Sequence, residues 1–429
     1  MDCMKKHFFR SLPVMAVIVM SCASAPKEDH SWIRKGIDVA SAQLKLTAEE
    51  IADSAKLPRC ISVGYELDFL CKQLEHQSAT FKDSLHPNPS PELVGKRQLV
   101  GVSDWTSGFF PGSLWYTYEL TGDQALKQYA IAYTNLLYPV REEAGTHDVG
   151  FMMNCSYGNA GRLSPNDTIP TVLKQTADNL IARFDTGIGV IRSWDFGTWN
   201  YPVIIDNMMN LDLLFNVSKL TGNPVYKDIA GKHAYTTMKN HFRPDYSSYH
   251  VVSYNSDGTV ELKETHQGKN AESSWSRGQA WAVYGYTSCY RETGDKAFLD
   301  FAGKIADLIM SRVKTSDFIP YWDYDAPDTP ETPRDASAAA ITASAFIELS
   351  TMVPDGKHYL DYATTILKNL SSDTYLAKVG ENQGFILMHS TGSLPHGSEV
   401  DTPLNYADYY YMEALERYMK LKGLEYKNL

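Results

Sequence analysis

The feature that most constrains the fold is a segment that recurs four times along the chain. Each copy ends one helix-like stretch, passes through a turn containing Gly and Asp or Asn, and starts a second helix with apolar residues at three- and four-residue spacing. The copies are LTGDQALKQYAIAYTNLL from Leu120, LTGNPVYKDIAGKHAYTTMKNHF from Leu220, ETGDKAFLDFAGKIADLIMSRV from Glu292 and MVPDGKHYLDYATTILKNL from Met352. The repeated unit is therefore a helical hairpin.

The helix before each turn is apolar on nearly all of its faces. Examples are GSLWYTYEL, NMMNLDLLFNVSKL, GQAWAVYGYTSCYR and SAAAITASAFIELS. Such helices are packed on every side, so they predict an inner ring, with the second helices outside it. We therefore predict an all-α fold, an (α/α)6 barrel of six helical hairpins whose long loops form a cleft at one end. A linear solenoid is the alternative, but its repeats would be shorter and more regular. The best strand pattern is a short hairpin over residues 250–264.

The first 22 residues have the pattern of an export signal. They read MDCMKKHFFRSLPVMAVIVMSC, with three basic residues, a short apolar stretch and then Cys22. This order is typical of a bacterial lipoprotein-type signal peptide, and the apolar part is too short for a permanent membrane span. We therefore predict an exported protein, periplasmic or tethered to a membrane through a lipid anchor on Cys22. Residues 23–429 are predicted to form the single barrel domain.

Composition and spacing restrict the ligands. The formal net charge is −11 and no Lys/Arg run is present, which argues against nucleic acid as a partner. The 27 Tyr and 8 Trp residues favour a flat polar ligand such as a sugar, although most of them are expected in the core. His250 and His266 lack the spacing of metal ligands, so we predict no metal and no cofactor. Cys60 and Cys71 form a bridge or remain buried free thiols; the sequence leaves both open.

Six loops, each ahead of an inner-helix pattern, mix Gly, aromatic and ionisable residues. Loops that join an outer helix to the next inner helix meet at one end of such a barrel, so these six are expected to form one cleft. They cover residues 103–112, 146–153, 193–210, 265–281, 323–340 and 389–415.

Two carboxylates and one arginine in these loops are candidates for chemistry. Asp206 lies among apolar residues, where desolvation would raise its pKa and suit it to general acid catalysis; the alternative is a cap on the next helix. Asp148 has the same ambiguity, with pairing to His147 as a further alternative. Two acids at one end of a barrel suit acid/base work on a sugar. Arg277 is placed to hold a carboxylate, with a surface salt bridge as its alternative.

The loop motifs resemble those of a known family. THDVGF, YPVIIDNMMN, THQG followed by SWSRGQAW, RDASAAA and HSTGSLPHGSEVDTPLNYADYYYMEAL are similar to the bacterial unsaturated glucuronyl hydrolases of glycoside hydrolase family 88. The resemblance runs in order from about residue 30 to the C terminus. It implies the same barrel, and a hydrolase that removes 4,5-unsaturated glucuronic acid from the non-reducing end of lyase-generated oligosaccharides by hydrating the vinyl ether double bond.

The resemblance also implies roles for individual residues. Asp206 corresponds to the general acid/base and Asp148 to a second essential Asp. The residues matched to substrate binding are His250, Gln267, Arg277, Trp281, His147, Trp105 and Trp194. Arg277 is expected to pair with the uronate.

One departure concerns sulfated substrates. Some members carry a Ser-x-x-Ser-x-Lys pattern in the late loop; here Ser390 and Ser393 match, but Pro395 stands in place of the lysine and His396 follows. The resemblance therefore does not extend to a preference for a 6-sulfate.

Other functions remain as alternatives. They are an unsaturated rhamnogalacturonyl hydrolase, a non-catalytic sugar-binding lipoprotein of the envelope, and an ordinary inverting glycosidase. The oligomeric state and the parent polysaccharide are not predicted by the sequence.

Overall fold

A computed structural model describes residues 29–75 and 85–429, so the predicted signal peptide over residues 1–22 and its Cys22 lie outside the described residues. The helices are α1 Ser31–Glu50, α2 Leu67–Leu74, α3 Phe109–Thr121, α4 Gln124–Leu136, α5 Val149–Met153, α6 Asn159–Leu163, α7 Thr168–Ala182, α8 Asn207–Thr221, α9 Pro224–Asn240, α10 Ser276–Thr293, α11 Lys296–Arg312, α12 Ala336–Ser350, α13 Lys357–Leu370 and α14 Asn405–Lys422. A π-helical turn, Asn154–Gly158, joins α5 to α6.

The helices form two concentric rings. The inner ring runs α3, α5 to α6, α8, α10, α12 and α14, each packed on the next, and α14 packs back on α3 to close it. The outer ring consists of α4, α7, α9, α11 and α13, with α1 packed against α3 and α4 in the sixth position. The predicted (α/α)6 barrel is confirmed.

Local capping explains the tight turns from inner to outer helices. Three inner helices that lead into an outer helix end at a glycine in the left-handed region, where a side chain would be strained: Gly122 (φ 73°), Gly222 (φ 69°) and Gly294 (φ 71°). The next residue caps the outer helix, because its side chain accepts the N–H two residues on; these caps are Asp123, Asn223 and Asp295. Three of the four repeated segments are this pair of caps, whereas in the fourth α12 ends before Thr351 and α13 begins after Gly356 without a side-chain cap.

Burial separates the two rings as expected. In α12, residues 336–347 are buried without interruption. In the outer helix α13, the buried residues recur at helical spacing, as in Tyr359, Tyr362, Ala363 and Ile366. The core therefore lies between the rings and around the inner helices.

The strands are short and belong to the loops. They are β1 Leu57–Ile61, β2 Arg97–Val100, β3 Phe184–Asp185, β4 Val190–Ile191, β5 Pro202–Ile204, β6 Val251–Tyr254 and β7 Val260–Glu264. The predicted hairpin is β6–β7, and β5 adds to it antiparallel with Val203 opposite Val252. Because β5 leads directly into α8, this sheet fixes the chain just before Asp206.

The described part of the chain also shows the state of two cysteines and whether any helix could span a membrane. Cys60 and Cys71 are free thiols, so no bridge joins them. Across residues 29–75 and 85–429, each helix is too short or too polar to cross a bilayer.

Candidate active site

The cleft lies at the end of the barrel where the inner helices begin. Asp148 directly precedes α5, Asp206 precedes α8, Trp275 precedes α10 and Asp335 precedes α12. Loops that are far apart in sequence therefore bring their ionisable and aromatic side chains to one end of the barrel.

Asp206 does not cap the helix that it precedes. Its side chain accepts no hydrogen bond from the first turn of α8, although it is only 7% exposed. Oδ2 lies 3.5 Å from Nε2 of His250, and within the described residues no group donates a hydrogen bond to Oδ1. The cap interpretation is therefore wrong, and one oxygen of the carboxyl is free to meet a ligand.

His250 is held in one tautomer by the backbone. Its Nδ1 accepts the N–H groups of His266 and Gln267, both at 3.1 Å. A ring nitrogen that accepts two N–H groups carries no proton of its own, so the proton of the neutral ring lies on Nε2. Nε2 therefore presents an N–H to Asp206, while the ring packs on Trp275 with the centroids 4.5 Å apart.

The pKa of Asp206 lies below its ordinary value, contrary to the prediction from the sequence. Burial raises the pKa, but the N–H that His250 directs at Oδ2, together with the electrostatic effects of His147 and Arg277, lowers it by more. The prediction considered only the apolar neighbours along the chain. The lowering groups come from other loops.

The pKa of Asp148 is shifted in the opposite direction, above its ordinary value. Burial raises the pKa of its carboxyl, and the negative charge of Asp206 adds to the effect, while His147 and Thr146 oppose it. Thr146 Oγ1 donates to Oδ2 at 2.9 Å, and Nε2 of His147 lies 3.2 Å from Oδ1. The two acids of the cleft thus have pKa values displaced in opposite directions, so Asp148 keeps its proton to a higher pH than Asp206 does.

Arg277 is buried inside the protein, at 1% exposure, so the alternative that it forms a surface salt bridge is wrong. Nη1 donates to Asp335 Oδ2 at 2.9 Å and to the Thr391 carbonyl at 2.6 Å, and Nη2 donates to the Gly392 carbonyl at 2.5 Å. Gln267 Nε2 donates to the same Gly392 carbonyl at 3.2 Å. Arg277 therefore fastens the late loop to α10 and α12, and this geometry does not support direct pairing with a uronate.

The three predicted tryptophans lie in different environments. Trp281 is fully buried, with Phe151 and Tyr410 at 5.2 and 5.3 Å, so it is not available to stack on a sugar. Trp105 is half-buried and contacts Tyr406, with a centroid separation of 5.0 Å. Trp194 is 8% exposed and lies beneath Phe196.

Comparisons with known proteins show the family to which the chain belongs. A family model described as Glycosyl Hydrolase Family 88 matches residues 95–423, well over half of the chain. The chain belongs to glycoside hydrolase family 88. A second model, described only as a domain of unknown function, matches residues 4–76 of this family 88 protein.

Named relatives narrow the identification within family 88. An unsaturated glucuronyl hydrolase of Formosa agariphila is 47% identical over 337 residues, which cover 77% of this chain and 83% of the relative. One from Bacillus sp. strain GL1 is 33% identical, covering 75% of this chain and 88% of the relative. A solved structure of an unsaturated glucuronyl hydrolase specific for heparin is 47% identical, with a TM-score of 0.83, and covers 92% of this chain and 99% of that one. The predicted enzyme class is confirmed: this is an unsaturated glucuronyl hydrolase.

Sequence reasoning assigned no site role to two residues of the family 88 cleft, Asp335 and His396. Asp335 lies in the motif RDASAAA, but nothing local shows that it pairs with an arginine 58 positions away. His396 packs on His266 with a centroid separation of 4.4 Å, and its ring Nδ1 lies 2.6 Å from Ser393 Oγ. Among the described residues no group of three or more His, Cys, Asp and Glu side chains is arranged to hold a metal.

Proposed function

We propose that this unsaturated glucuronyl hydrolase acts by hydrating the double bond of a terminal 4,5-unsaturated glucuronic acid, with Asp206 as the acid/base group. The observation that carries the proposal is the position of Asp206: a buried carboxyl with one oxygen facing the N–H of His250 and the other without a partner in the described chain. A proton-transferring group needs an oxygen that is free to reach its substrate.

The proposed reaction uses one water molecule. Asp206 gives a proton to C4 of the double bond, and water adds to C5 while returning a proton to Asp206. The resulting hemiketal opens at the bond between C5 and the ring oxygen, and the hemiacetal left at C1 breaks down to an aldehyde and releases the neighbouring sugar with a free hydroxyl group. The net change is addition of water followed by loss of the sugar, so no covalent bond to the enzyme is needed.

Because the pKa of Asp206 is low in the free protein, we propose that its carboxyl takes up a proton only when the substrate binds. In the free protein, His250, His147 and Arg277 keep the carboxyl ionised. A bound uronate brings a negative charge and displaces water, and both effects raise the pKa of a neighbouring carboxyl. Arg277 contributes to this balance by its charge, since its N–H groups are already engaged.

Asp148 is proposed to hold the sugar ring. Its side chain is 22% exposed and is fixed from two sides by Thr146 and His147. A carboxyl held in this way beside the acid/base group is suited to hydrogen bonds with sugar hydroxyls, which orient the double bond toward Asp206.

We further propose heparin-type disaccharides as the preferred substrates. The solved structure at 47% identity is specific for heparin, whereas a chondroitin disaccharide hydrolase of Streptococcus pneumoniae is 31% identical. In the late loop, Pro395 stands where a lysine would serve a 6-sulfate, and His396 beside it has a pKa lowered by burial to about 4. His396 is therefore neutral near pH 7 and supplies no cation for a sulfate.

The test follows the ultraviolet absorbance of the conjugated double bond in unsaturated disaccharides from heparin, chondroitin and hyaluronan. Loss of absorbance by the wild-type protein, fastest with the heparin disaccharide, is expected. Asp206→Asn should lower kcat/KM by about 100- to 10,000-fold, whereas Asp195→Asn, a half-exposed carboxylate of the same loop, should leave it unchanged. Unchanged turnover in Asp206→Asn would remove the acid/base assignment. Persistent absorbance with every disaccharide would favour a rhamnogalacturonyl substrate or a binding role.

We also propose that the protein is exported and anchored through Cys22. The support is the order of basic residues, apolar stretch and cysteine within residues 1–22. Labelling of producing cells with a radioactive fatty acid should mark the wild-type protein and leave Cys22→Ala unlabelled. An unlabelled wild-type protein would exclude the anchor.

A further inference from the structure

An aromatic shelf lies at the rim of the cleft, formed by Trp194, Phe196, Trp199 and His266. Phe196 stacks on Trp194 almost in parallel, with the ring centroids 4.7 Å apart and an interplanar angle of 17°. Trp199 and His266 pack against Trp194 from the sides, both with centroids 5.5 Å away. Trp194 is consequently covered, at 8% exposure, while Phe196 is 56% exposed.

The shelf is held in position before any ligand arrives. The indole N–H of Trp199 donates to Glu264 on β7, and Asn200 Nδ2 donates to Glu261 at 2.7 Å on the same strand. Gly197 has φ 85°, and a Cβ at this position would come 2.4 Å from the Trp199 ring. A glycine is therefore required for the turn that places Phe196 above the stack.

His266, which belongs to the shelf, connects it through His250 to the acid/base group. His266 contacts Trp194 by its ring and donates its backbone N–H to Nδ1 of His250, whose Nε2 faces Asp206. Asp206 is buried at the base of the cleft, and Phe196 is exposed ten positions earlier in the same loop. The ring centroids of Phe196 and His266 lie 6.1 Å apart and those of His266 and His250 lie 6.4 Å apart, so the exposed Phe196 ring is two ring contacts away from the histidine that faces Asp206.

We infer that the outer face of Phe196 is the stacking surface for the sugar ring on the reducing-end side of the cleaved bond. This inference rests on the proposed function. The ligand is a pyranose ring, which offers an apolar face of C–H groups to an aromatic ring while its hydroxyls stay in water. Trp194, for which the resemblance to family 88 implies substrate binding, supports Phe196 from below and does not itself meet the sugar.

The test compares a substrate that has a sugar ring on the reducing-end side of the cleaved bond with one that lacks this ring. One is an unsaturated disaccharide, and the other is the methyl glycoside of 4,5-unsaturated glucuronic acid, which has no second ring; both are followed by loss of ultraviolet absorbance. Phe196→Leu should lower kcat/KM for the disaccharide by about tenfold and leave kcat/KM for the methyl glycoside unchanged. Phe196→Trp should retain at least wild-type kcat/KM for the disaccharide, because it keeps a flat aromatic face.

The outcomes separate this inference from the proposed function. An equal loss of kcat/KM on both substrates in Phe196→Leu would mean that the residue only supports the loop, and no loss on either would mean that the sugar does not reach it. Either result overturns the inference while leaving the hydrolase intact. Tyr138→Ala, which removes a 43% exposed aromatic residue paired with Arg141, is the control and should change neither value. Failure of the wild-type protein on both substrates would instead overturn the proposed function.

Discussion

Asn210 Oδ1 accepts a 2.7 Å hydrogen bond from the backbone N–H of Phe151, which joins helices α5 and α8. The contact lies one turn below Asp148 on one helix and one turn below Asp206 on the other. The two helices approach closely at Gly150, where a Cβ would lie 2.6 Å from the Asn210 Cα. The separation of the two carboxyls is thus set by a backbone contact beneath them, since the residues themselves are not bonded to each other.

The Gly150→Ala substitution should push these helices apart and lower kcat/KM by about 100-fold, because catalysis is sensitive to displacements of about 1 Å. A crystal structure of the variant would measure the displacement of α5 from α8, and the absorbance assay would measure the loss of kcat/KM. Gly231→Ala is the matched control, since a Cβ at that position in the outer helix α9 meets nothing within 4 Å. It should keep full activity and gain stability of about 0.5 to 1 kcal/mol. Wild-type activity in Gly150→Ala would show that the carboxyl separation tolerates movement.

Removing His250 should shift the pH profile of the reaction. The N–H of His250 lowers the pKa of Asp206, so the His250→Phe variant should raise that pKa. Since the proposed mechanism needs protonated Asp206, kcat/KM falls as the pH rises through its pKa, and this limb should move to higher pH in the variant. A lower rate with an unmoved limb would indicate a purely structural role, through the lost contacts with the backbone of His266 and Gln267. His358→Phe, a change at an exposed histidine on α13, should leave the profile unchanged.

Asp148→Asn should alter stability in a pH-dependent way. A carboxyl whose pKa is raised in the folded protein stabilises it most below the ordinary value of 3.8, and that stability is lost as the pH rises through the raised pKa. The variant does not ionise, so its Tm relative to the wild type should increase between pH 4 and pH 8, by about 1 to 3 °C. Thermal unfolding at a series of pH values measures the difference. Asp195→Asn should give a level Tm difference between pH 4 and pH 8, because the hydrogen bond with Arg183 lowers the pKa of Asp195 and confines its pH-dependent effect to values below about its ordinary 3.8. If the plots of Tm against pH were parallel for the wild type and Asp148→Asn, the raised pKa of Asp148 in the folded protein would be contradicted.

The barrel was predictable because its hairpins are encoded locally. Gly222 and Asn223 end one helix and cap the next within two residues, and the same pair of caps recurs elsewhere along the chain. The sixth outer helix, α1, carries no such turn. Its place is fixed by packing against α3 and α4, which are distant in sequence, so the repeat alone could not assign it.

The candidate site was predictable in its residues but not in its electrostatics. Asp206 and Asp148 lie where the motifs placed them, at the starts of inner helices. The direction of the Asp206 pKa shift depends on His250, His147 and Arg277, which reach it from three other loops. The residues next to Asp206 in the sequence indicate only the burial that raises its pKa. The groups that lower the pKa are distant in sequence and could not be predicted from these neighbours.

Arg277→Met should destabilise the fold, because Arg277 is paired with Asp335 inside the protein, with both side chains at most 1% exposed. Removing one partner leaves a buried carboxylate without its cation, which costs about 3 to 5 kcal/mol. The double variant Arg277→Met with Asp335→Asn should recover part of that loss, since the amide still caps α12 through Ser337 without a buried charge. Denaturant unfolding measures all three proteins. Lys357→Met, which breaks an exposed pair, should cost less than about 1 kcal/mol. If Arg277→Met kept wild-type stability and only raised KM, the guanidinium would be a substrate ligand, and its bonds to the late loop would have to open when the uronate binds.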